Sequence, residues 1–364
     1  MTLLRAPGPV HSFTSACAAA AAVFLFAGCG TPQSTNDASA NPLTAADLRH
    51  RAGPIYDDFN PLERIAFGSC SRVDLPQPLW DPINAADPGL WIWLGDNIYA
   101  DEDHLSVARG MYEAQLAVPE YTQLLQNTPV IGTWDDHDYG VNNGGKENPF
   151  RVQSQIELLD FLGEPQDSER RNQEGVYASY TYGEAPNRTK VILLDTRYHR
   201  DAPGPDGDVL GEAQWTWLEA QLRDSDAQLH FIGGGFQFLA EDHRYEKWAN
   251  FPLARKRLIE LIGGSGAPGV ILLSGDRHIS EIARVEDPAL SYPLYEVTSS
   301  GMTHSWADNP GELNRYRVGE LYTLLSFGML EVDWAAGTVS MQLRAQDGAI
   351  AVEHVVELGA LSGS

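Results

Sequence analysis

Short apolar runs, each closing on a polar or ionisable residue and separated by stretches of helical period, constrain the fold more than any other feature. RIAFGSC (64–70), GLWIWLGD (89–96), TPVIGTWDD (128–136), KVILLDTR (190–197), LHFIGGGFQF (229–238) and GVILLSGD (269–276) read as buried strands. Between them, SVARGMYEAQLA (106–117), RVQSQIELLDFLG (151–163), GEAQWTWLEAQLRD (211–224) and FPLARKRLIELIG (251–263) space their apolar residues as helices do. This alternation predicts an α/β class. The C-terminal part differs. HISEIARVE, YPLYEVTSSGM, LYTLLSFGMLEVDW, TVSMQLRAQDG and AIAVEHVVEL carry no helical period and predict a strand meander.

The strands stop on Cys70, Asp96, Asp135 and Asp136, Asp195, Gln237 and Asp276. In open α/β sheets, sites form outside the carboxyl ends of strands. One such Asp is an ordinary cap or turn former. Several in one chain predict a shared site.

The N-terminus is not part of that pattern. ACAAAAAVFLFAGCG (16–30) is apolar but short for a bilayer span, Arg5 precedes it, and Ala27 and Gly28 stand before Cys29. Residues 1–28 read as a secretory signal, and FAGC resembles a bacterial lipobox with Cys29 as the lipidated residue. The polar stretch 29–61 reads as a linker, and 62–359 as the folded domain. An exported, periplasmic or cell-envelope lipoprotein is expected, touching the membrane only through Cys29. With Cys17 and Cys29 set aside, Cys70 is the one thiol of the mature domain, either buried and inert or committed as a ligand. The formal charge of -25, from 50 acidic and 25 basic residues, disfavours nucleic acid and anionic membrane surfaces as partners. No motif specifies an oligomeric state.

Four segments carry candidate chemistry. In WLGDNIYAD (93–101), Gly95 permits a tight turn that presents Asp96, and Tyr99 returns to the same face if a helical turn follows. A carboxylate can bridge two cations and a phenolate suits a trivalent metal, although taken alone the pair is better explained by a helix cap and a packed tyrosine. LLSGDRHISE (272–281) places Asp276 and His278 on one side of extended chain, as Zn, Fe or Mn sites require. In TWDDHDYGVNN, Asp136 offers an oxygen, His137 an acid or hydrogen-bond donor, and Asn142 and Asn143 neutral oxygens of the kind calcium accepts. Taken alone, that segment is a hydrated turn. FGSCSR (67–72) pairs a strand-end thiol with Arg72, a phosphate-gripping side chain.

Taken in order, FGSCSR, LGDNIYAD, TWDDHDYG, LLDTRYHR and SGDRHISE resemble the alkaline phosphatase D (PhoD-like) family of metallophosphatases, from about Leu62 to near the C-terminus. The resemblance implies a four-layer αββα sandwich of two mixed sheets with flanking helices. It implies a centre of Fe3+ with Ca2+ and hydrolysis of small phosphate mono- and diesters by a metal-activated hydroxide. By motif, Cys70 and Tyr99 resemble iron ligands and Asp96 the bridging carboxylate, with Asp276 and His278 as further ligands. Asp136 takes the place of a metal-binding Asn, with Asn143 as an alternative calcium ligand. His137 resembles the substrate-facing histidine, while Arg72 or Arg197 balances phosphate charge. Asp135 and Asp138 are expected to brace the loop. Two departures stand out: 29–61 is too short for the extra N-terminal β domain of longer members, and no long C-terminal capping helix is evident.

Two other readings share these residues. One is a phospholipase D-like hydrolase of phospholipid head groups on the same scaffold. The other is a non-catalytic acidic ligand-binding lipoprotein using tryptophans such as Trp91, Trp93, Trp215 and Trp217. Core packing accounts better for the last two, which face different ways on a helix. DAPGPDGDVLG (201–211) and EDHRYEKWANF (241–251) are the expected specificity loops, with His243 and Arg244 as candidate contacts, although surface solvation accounts for them better; DAPGPDGD lacks EF-hand spacing. A Ser nucleophile is not indicated, because GGSGAPG lacks the Gly-x-Ser-x-Gly spacing.

Overall fold

A computed structural model describes residues 57–100 and 105–363 of the chain. The expected signal, Cys29 and most of the linker lie outside the described residues.

Elements follow in the order β1 (Asp57–Asp58), β2 (Arg64–Gly68), α1 (Trp80–Ala86), β3 (Leu90–Leu94), α2 (Leu105–Leu116), α3 (Pro119–Asn127) and β4 (Val130–Thr133). Next come α4 (Asp136–Tyr139), α5 (Arg151–Phe161), β5 (Ala178–Tyr182), β6 (Thr189–Leu193), α6 (Glu212–Arg223), β7 (Leu229–Gly233), α7 (Pro252–Ser265) and β8 (Val270–Ser274). Six strands close the chain: β9 (Ser280–Val285), β10 (Leu294–Thr298), β11 (Arg317–Tyr322), β12 (Ser326–Asp333), β13 (Thr338–Ala345) and β14 (Ile350–Glu357). All six apolar runs are strands, and the four helical-period stretches are α2, α5, α6 and α7. β1 pairs with β5, so the sheet begins before Leu62, within the stretch read as linker. At the other end Leu361 is fully buried, two residues past the expected boundary.

Two mixed sheets result, an eight-stranded one ordered β1-β5-β6-β7-β8-β10-β9-β11 and a six-stranded one ordered β14-β13-β12-β2-β3-β4. β2, β3 and β4 run parallel, as do β6, β7 and β8. Period-two alternation explains why these strands are apolar on both faces. Leu90, Ile92 and Leu94 point between the sheets with Ile65, Phe67, Phe231, Ile271 and Leu273. Trp91 and Trp93 point the other way, against Trp80, Tyr121 and Phe161 of the outer helices. Ile232, Val270 and Leu272 face α6 and α7, where Trp215 is core and Trp217 packs at its margin. The layers are therefore α, β, β, α.

The C-terminal meander is corrected by this topology. β10 pairs parallel to β8 and, with β9 and β11, extends the eight-stranded sheet, whereas β12 to β14 complete the six-stranded one. Both sheets bring carboxyl ends to one rim. There Thr133 donates to the Leu194 carbonyl across the sheets at 2.8 Å, and Ser69 to the Ser299 carbonyl at 3.0 Å. The approach needs a glycine: a Cβ on Gly275 would lie 2.5 Å from Ser69 Oγ and 3.0 Å from the Leu94 carbonyl.

Candidate metal centre

Six described non-glycine residues have positive φ: Cys70 (61°), Asp87 (49°), Asp96 (50°), Asn143 (52°), Asp276 (66°) and His278 (54°). Asp87 merely closes α1 as its C-cap. The other five are sequence candidates. Left-handed backbone costs a side-chain-bearing residue about 1–3 kcal/mol, and such residues gather where function requires the conformation. Cys70, Asp96 and the Asp276/His278 pair turn sharply just past β2, β3 and β8, and Asn143 follows α4.

Those donors converge. Cys70 Sγ lies 3.3 Å from Asp96 Oδ2, and the Tyr99 hydroxyl reaches the same oxygen at 3.3 Å and His278 Nε2 at 3.1 Å. Tyr99 returns over Asp96 through a bend rather than a helix. Ser300, at the end of β10, holds two of the group at once: its Oγ is 3.0 Å from Cys70 Sγ and accepts from the His278 N–H at 2.6 Å. His304 packs edge-on against both His278 and Tyr99.

Asp136 and its neighbours form the second half. Asp138 bonds the Asp135 N–H at 2.6 Å and the Asn97 backbone and side chain at 3.0 and 2.6 Å, closing α4 as a capping box. Asp136 Oδ2 accepts from the Asn143 N–H at 2.6 Å. Asp136 Oδ1 and Asp135 Oδ2 are buried with no hydrogen-bond partner. Donor atoms of Cys70, Asp96 and His278 all lie within 4.8 Å of one another, as do those of Asp96, Asp136 and His137, and those of Asp135, Asp136 and Asp276. Asp96 belongs to two of these groups, and Asp136 to two.

The residues fit metal ions. Sulfur, imidazole, phenol and carboxylate on one side match a transition metal, and carboxylates on the other match a hard cation. The electrostatics agree. Burial, with the charge of Asp136, lifts the Asp276 carboxyl to about 7. Burial and the neighbouring Cys70 and Asp136 push Asp96 well above the carboxylate range, and burial with the Cys70 and Asp96 charges raises Tyr99 likewise. Burial lifts the Cys70 thiol to about 11 and takes His278 down to about 3. A cation makes the ionised acids and neutral imidazole the favoured forms.

Arg197 requires a correction. Its side chain is fully buried, bonded through Nε to Asp135 Oδ1 at 2.6 Å and through Nη2 to Glu246 at 2.6 Å. A guanidinium enclosed by two carboxylates does not meet a phosphate, so it positions Asp135 instead. Glu246 also pairs with Arg200, whose Nη1 donates to the Asn143 carbonyl at 3.0 Å. Asp195 and Gln237 leave the shared site as well. Asp195 binds the N–H groups of Val176, Arg197 and Tyr198. Gln237 is buried against Glu281, Thr298 and His243.

His137, half-buried, has its ring over Tyr99 at 4.1 Å, and its N–H reaches Asp96 Oδ1 at 3.3 Å. Arg72 lies 5.7 Å from the Tyr99 ring and pairs with Asp74. A cleft of about 590 Å³ opens over the rim, lined by Asp136, His137, Asn143, the 276–278 and 244–246 segments and Trp306. Ser300, Arg200, Glu246 and His304 were not singled out by sequence reasoning. For Ser300 a signal existed: TSSGM ends an apolar run on small polar residues, as the other strand ends do.

An αββα sandwich with cation-sized donor groups at the joined strand ends is a metallophosphatase-like fold. The PhoD-like phosphatase family matches residues 65–316, and the chain belongs to it. Alkaline phosphatase D of Bacillus subtilis is 26% identical over 191 residues, 42% of this chain and 31% of that relative, so the match spans under a third of the relative's length. Among solved structures, PhoD superposes with a TM-score of 0.68 at 18% identity, covering 82% of this chain and 70% of the other. GAP50, the anchor in the inner membrane complex of Plasmodium, gives 0.57 at 12%, covering 84% and 90%. A dimetal phosphatase from Danio rerio gives 0.50 at 13%, covering 84% and 100%.

Proposed function

We propose that the chain is an exported, metal-dependent phosphoric ester hydrolase acting on small phosphate mono- and diesters. The observation that carries the reading is the convergence of Cys70, Asp96, Tyr99 and His278 beside Asp135, Asp136 and Asp276, with Asp96 common to both halves. In this reading Cys70, Tyr99, His278 and Asp96 hold Fe3+, and Asp136 and Asp276, with Asn143, hold Ca2+. When bound, these ions supply Lewis-acid charge that polarises a phosphate ester and acidifies water.

The chain's own residues do the rest. His137, fixed by its backbone N–H to Asp96 and by its ring on Tyr99, donates a hydrogen bond or proton from the imidazole to an ester oxygen in the cleft. Arg72 offsets phosphate charge from the Tyr99 side. Burial pushes the Asp135 carboxyl well above the carboxylate range; Arg197 opposes that rise and holds the Asp135–Asp138 turn in place. No phosphoenzyme is formed in this scheme, since no serine nucleophile is assigned.

Export through residues 1–28 and lipidation at Cys29 complete the proposal. Among the described residues no helix is long and apolar enough to cross a membrane.

Turnover of bis(p-nitrophenyl) phosphate, p-nitrophenyl phosphate and phosphatidylcholine by protein purified without chelators tests the reading. Hydrolysis of the soluble esters, lost on chelation, is expected. Turnover of the phospholipid alone gives the site to the lipid hydrolase, and turnover of none to a binding protein.

A further inference from the structure

Besides the metal-ligand candidates, the cleft lining has a charge pattern that the reaction does not use. Acidic residues outnumber basic ones 50 to 25, yet Arg244 is exposed at the cleft and makes no ion pair among the described residues. Its one hydrogen bond there goes to the Tyr245 hydroxyl at 3.4 Å. Arg277, 6% exposed and set between Asp276 and His278, lines the same cleft. Glu312 takes its bonds at Nη2, at 2.7 and 2.8 Å, while Nε is buried without an acceptor. Both guanidiniums sit on one aromatic ring, Arg277 at 4.2 Å and Arg244 at 5.2 Å from the Tyr245 centroid.

This part of the lining is built rather than loose. The Tyr245 N–H donates to His243 Nδ1 at 3.2 Å, and His243 Nε2 bonds the buried Gln237 at 2.9 Å. Trp306 packs edge-on to Tyr245 at 5.8 Å, and its N–H donates to the His278 carbonyl at 2.8 Å. That bond ties Trp306 to the metal-ligand loop. Nearby Glu246 is already engaged by Arg197 and Arg200. One exposed and one nearly buried guanidinium on a single aromatic ring, lining the cleft together with cation-sized donor groups, favour a second anion with several oxygens.

We propose that Arg244 and Arg277, with Tyr245 between them, form a subsite for a second phosphate of the substrate, so that the preferred esters carry two phosphate groups. This rests on the hydrolase reading above. Arg277, pinned by Glu312, supplies fixed positive charge, and Arg244 closes over the incoming phosphate from the solvent side.

Two substrates differing only in the distal group test it: thymidine 5′-(p-nitrophenyl phosphate) and the same ester carrying a 3′-phosphate. For the metal-loaded protein we expect kcat/KM roughly 10-fold higher for the 3′-phosphorylated ester, the scale of one charge-assisted contact. Arg244→Gln should abolish that preference and leave the other ester within about twofold, as fits an exposed side chain outside the metal centre. Equal kcat/KM in the wild type, or an equal loss on both esters in the variant, overturns the subsite while leaving the hydrolase reading intact. Calorimetry supplies the other arm. Thymidine 3′,5′-bisphosphate should bind more tightly than thymidine 5′-monophosphate, and Arg244→Gln should equalise them. If neither ester is hydrolysed but this binding preference holds, the hydrolase reading fails and the subsite stands. No preference in binding overturns the subsite.

Discussion

Ser300 shows how much of the centre depends on a residue that binds no metal in this account. One hydroxyl orients the Cys70 thiol and the His278 backbone together, and it is fully buried with Cys70. Outer partners of metal ligands typically set 10- to 100-fold in affinity. Ser300→Ala should therefore lower metal affinity by roughly that factor with the fold retained, read by competition with a chelator of known affinity. Arg197 gives a second test at this scale. Removing one member of a buried ion pair leaves uncompensated charge and costs about 3–5 kcal/mol. Arg197→Met should lower unfolding stability by that amount in urea; a variant of native stability with only KM altered would return Arg197 to the substrate. Sequence alone showed which residues were chemically apt, but not this distinction. Arg197 and Arg72 follow strands in similar ways, and only the packing around Asp135 and Glu246 separates them.

At the level of elements, strand-end turns do the positioning. Gly95 has φ +94°, and a Cβ there would lie 2.5 Å from Asp135 Cβ and its backbone nitrogen. Gly95→Ala is expected to destabilise the chain by more than about 1 kcal/mol and to lower metal content as Asp96 and Asp135 are forced apart. A shifted urea midpoint at unchanged m-value checks it. The strands and long helices were legible because burial on both faces writes a continuous apolar run, and one-sided burial writes a helical period. Pairing was not. The last six strands look alike in sequence, but β9 to β11 join one sheet and β12 to β14 the other, a choice made by contacts far apart in the chain. Two-residue β1 and four-residue α4 are too short to carry a period, and α4 is held by the Asp135–Asp138 capping box instead.

For the whole molecule, two sheets sharing one rim concentrate negative charge that folding alone does not offset. The carboxyl of Asp276, at about 7 from burial and Asp136, and that of Asp96, raised by burial and Cys70, favour their protonated forms at pH 6. A cation binds the carboxylates, so uptake at pH 6 must expel protons, and affinity should rise from pH 6 to pH 8 by up to about tenfold per unit for each proton released. His278, down at about 3, is neutral across that range and adds no opposing proton. Calorimetry of calcium binding in buffers of different ionisation enthalpy reads the release; a pH-independent affinity would contradict it.

In the proposed reaction, Cys70, Asp96, Tyr99 and His278 would form an iron site on which ester hydrolysis depends. Elemental analysis of wild-type protein and Cys70→Ala, both purified without chelators, tests it most directly. The account predicts about one iron per wild-type chain together with calcium, and loss of the iron in the variant. Iron retained at the wild-type level in Cys70→Ala, or absent from a wild-type protein that hydrolyses phosphate esters, would contradict it.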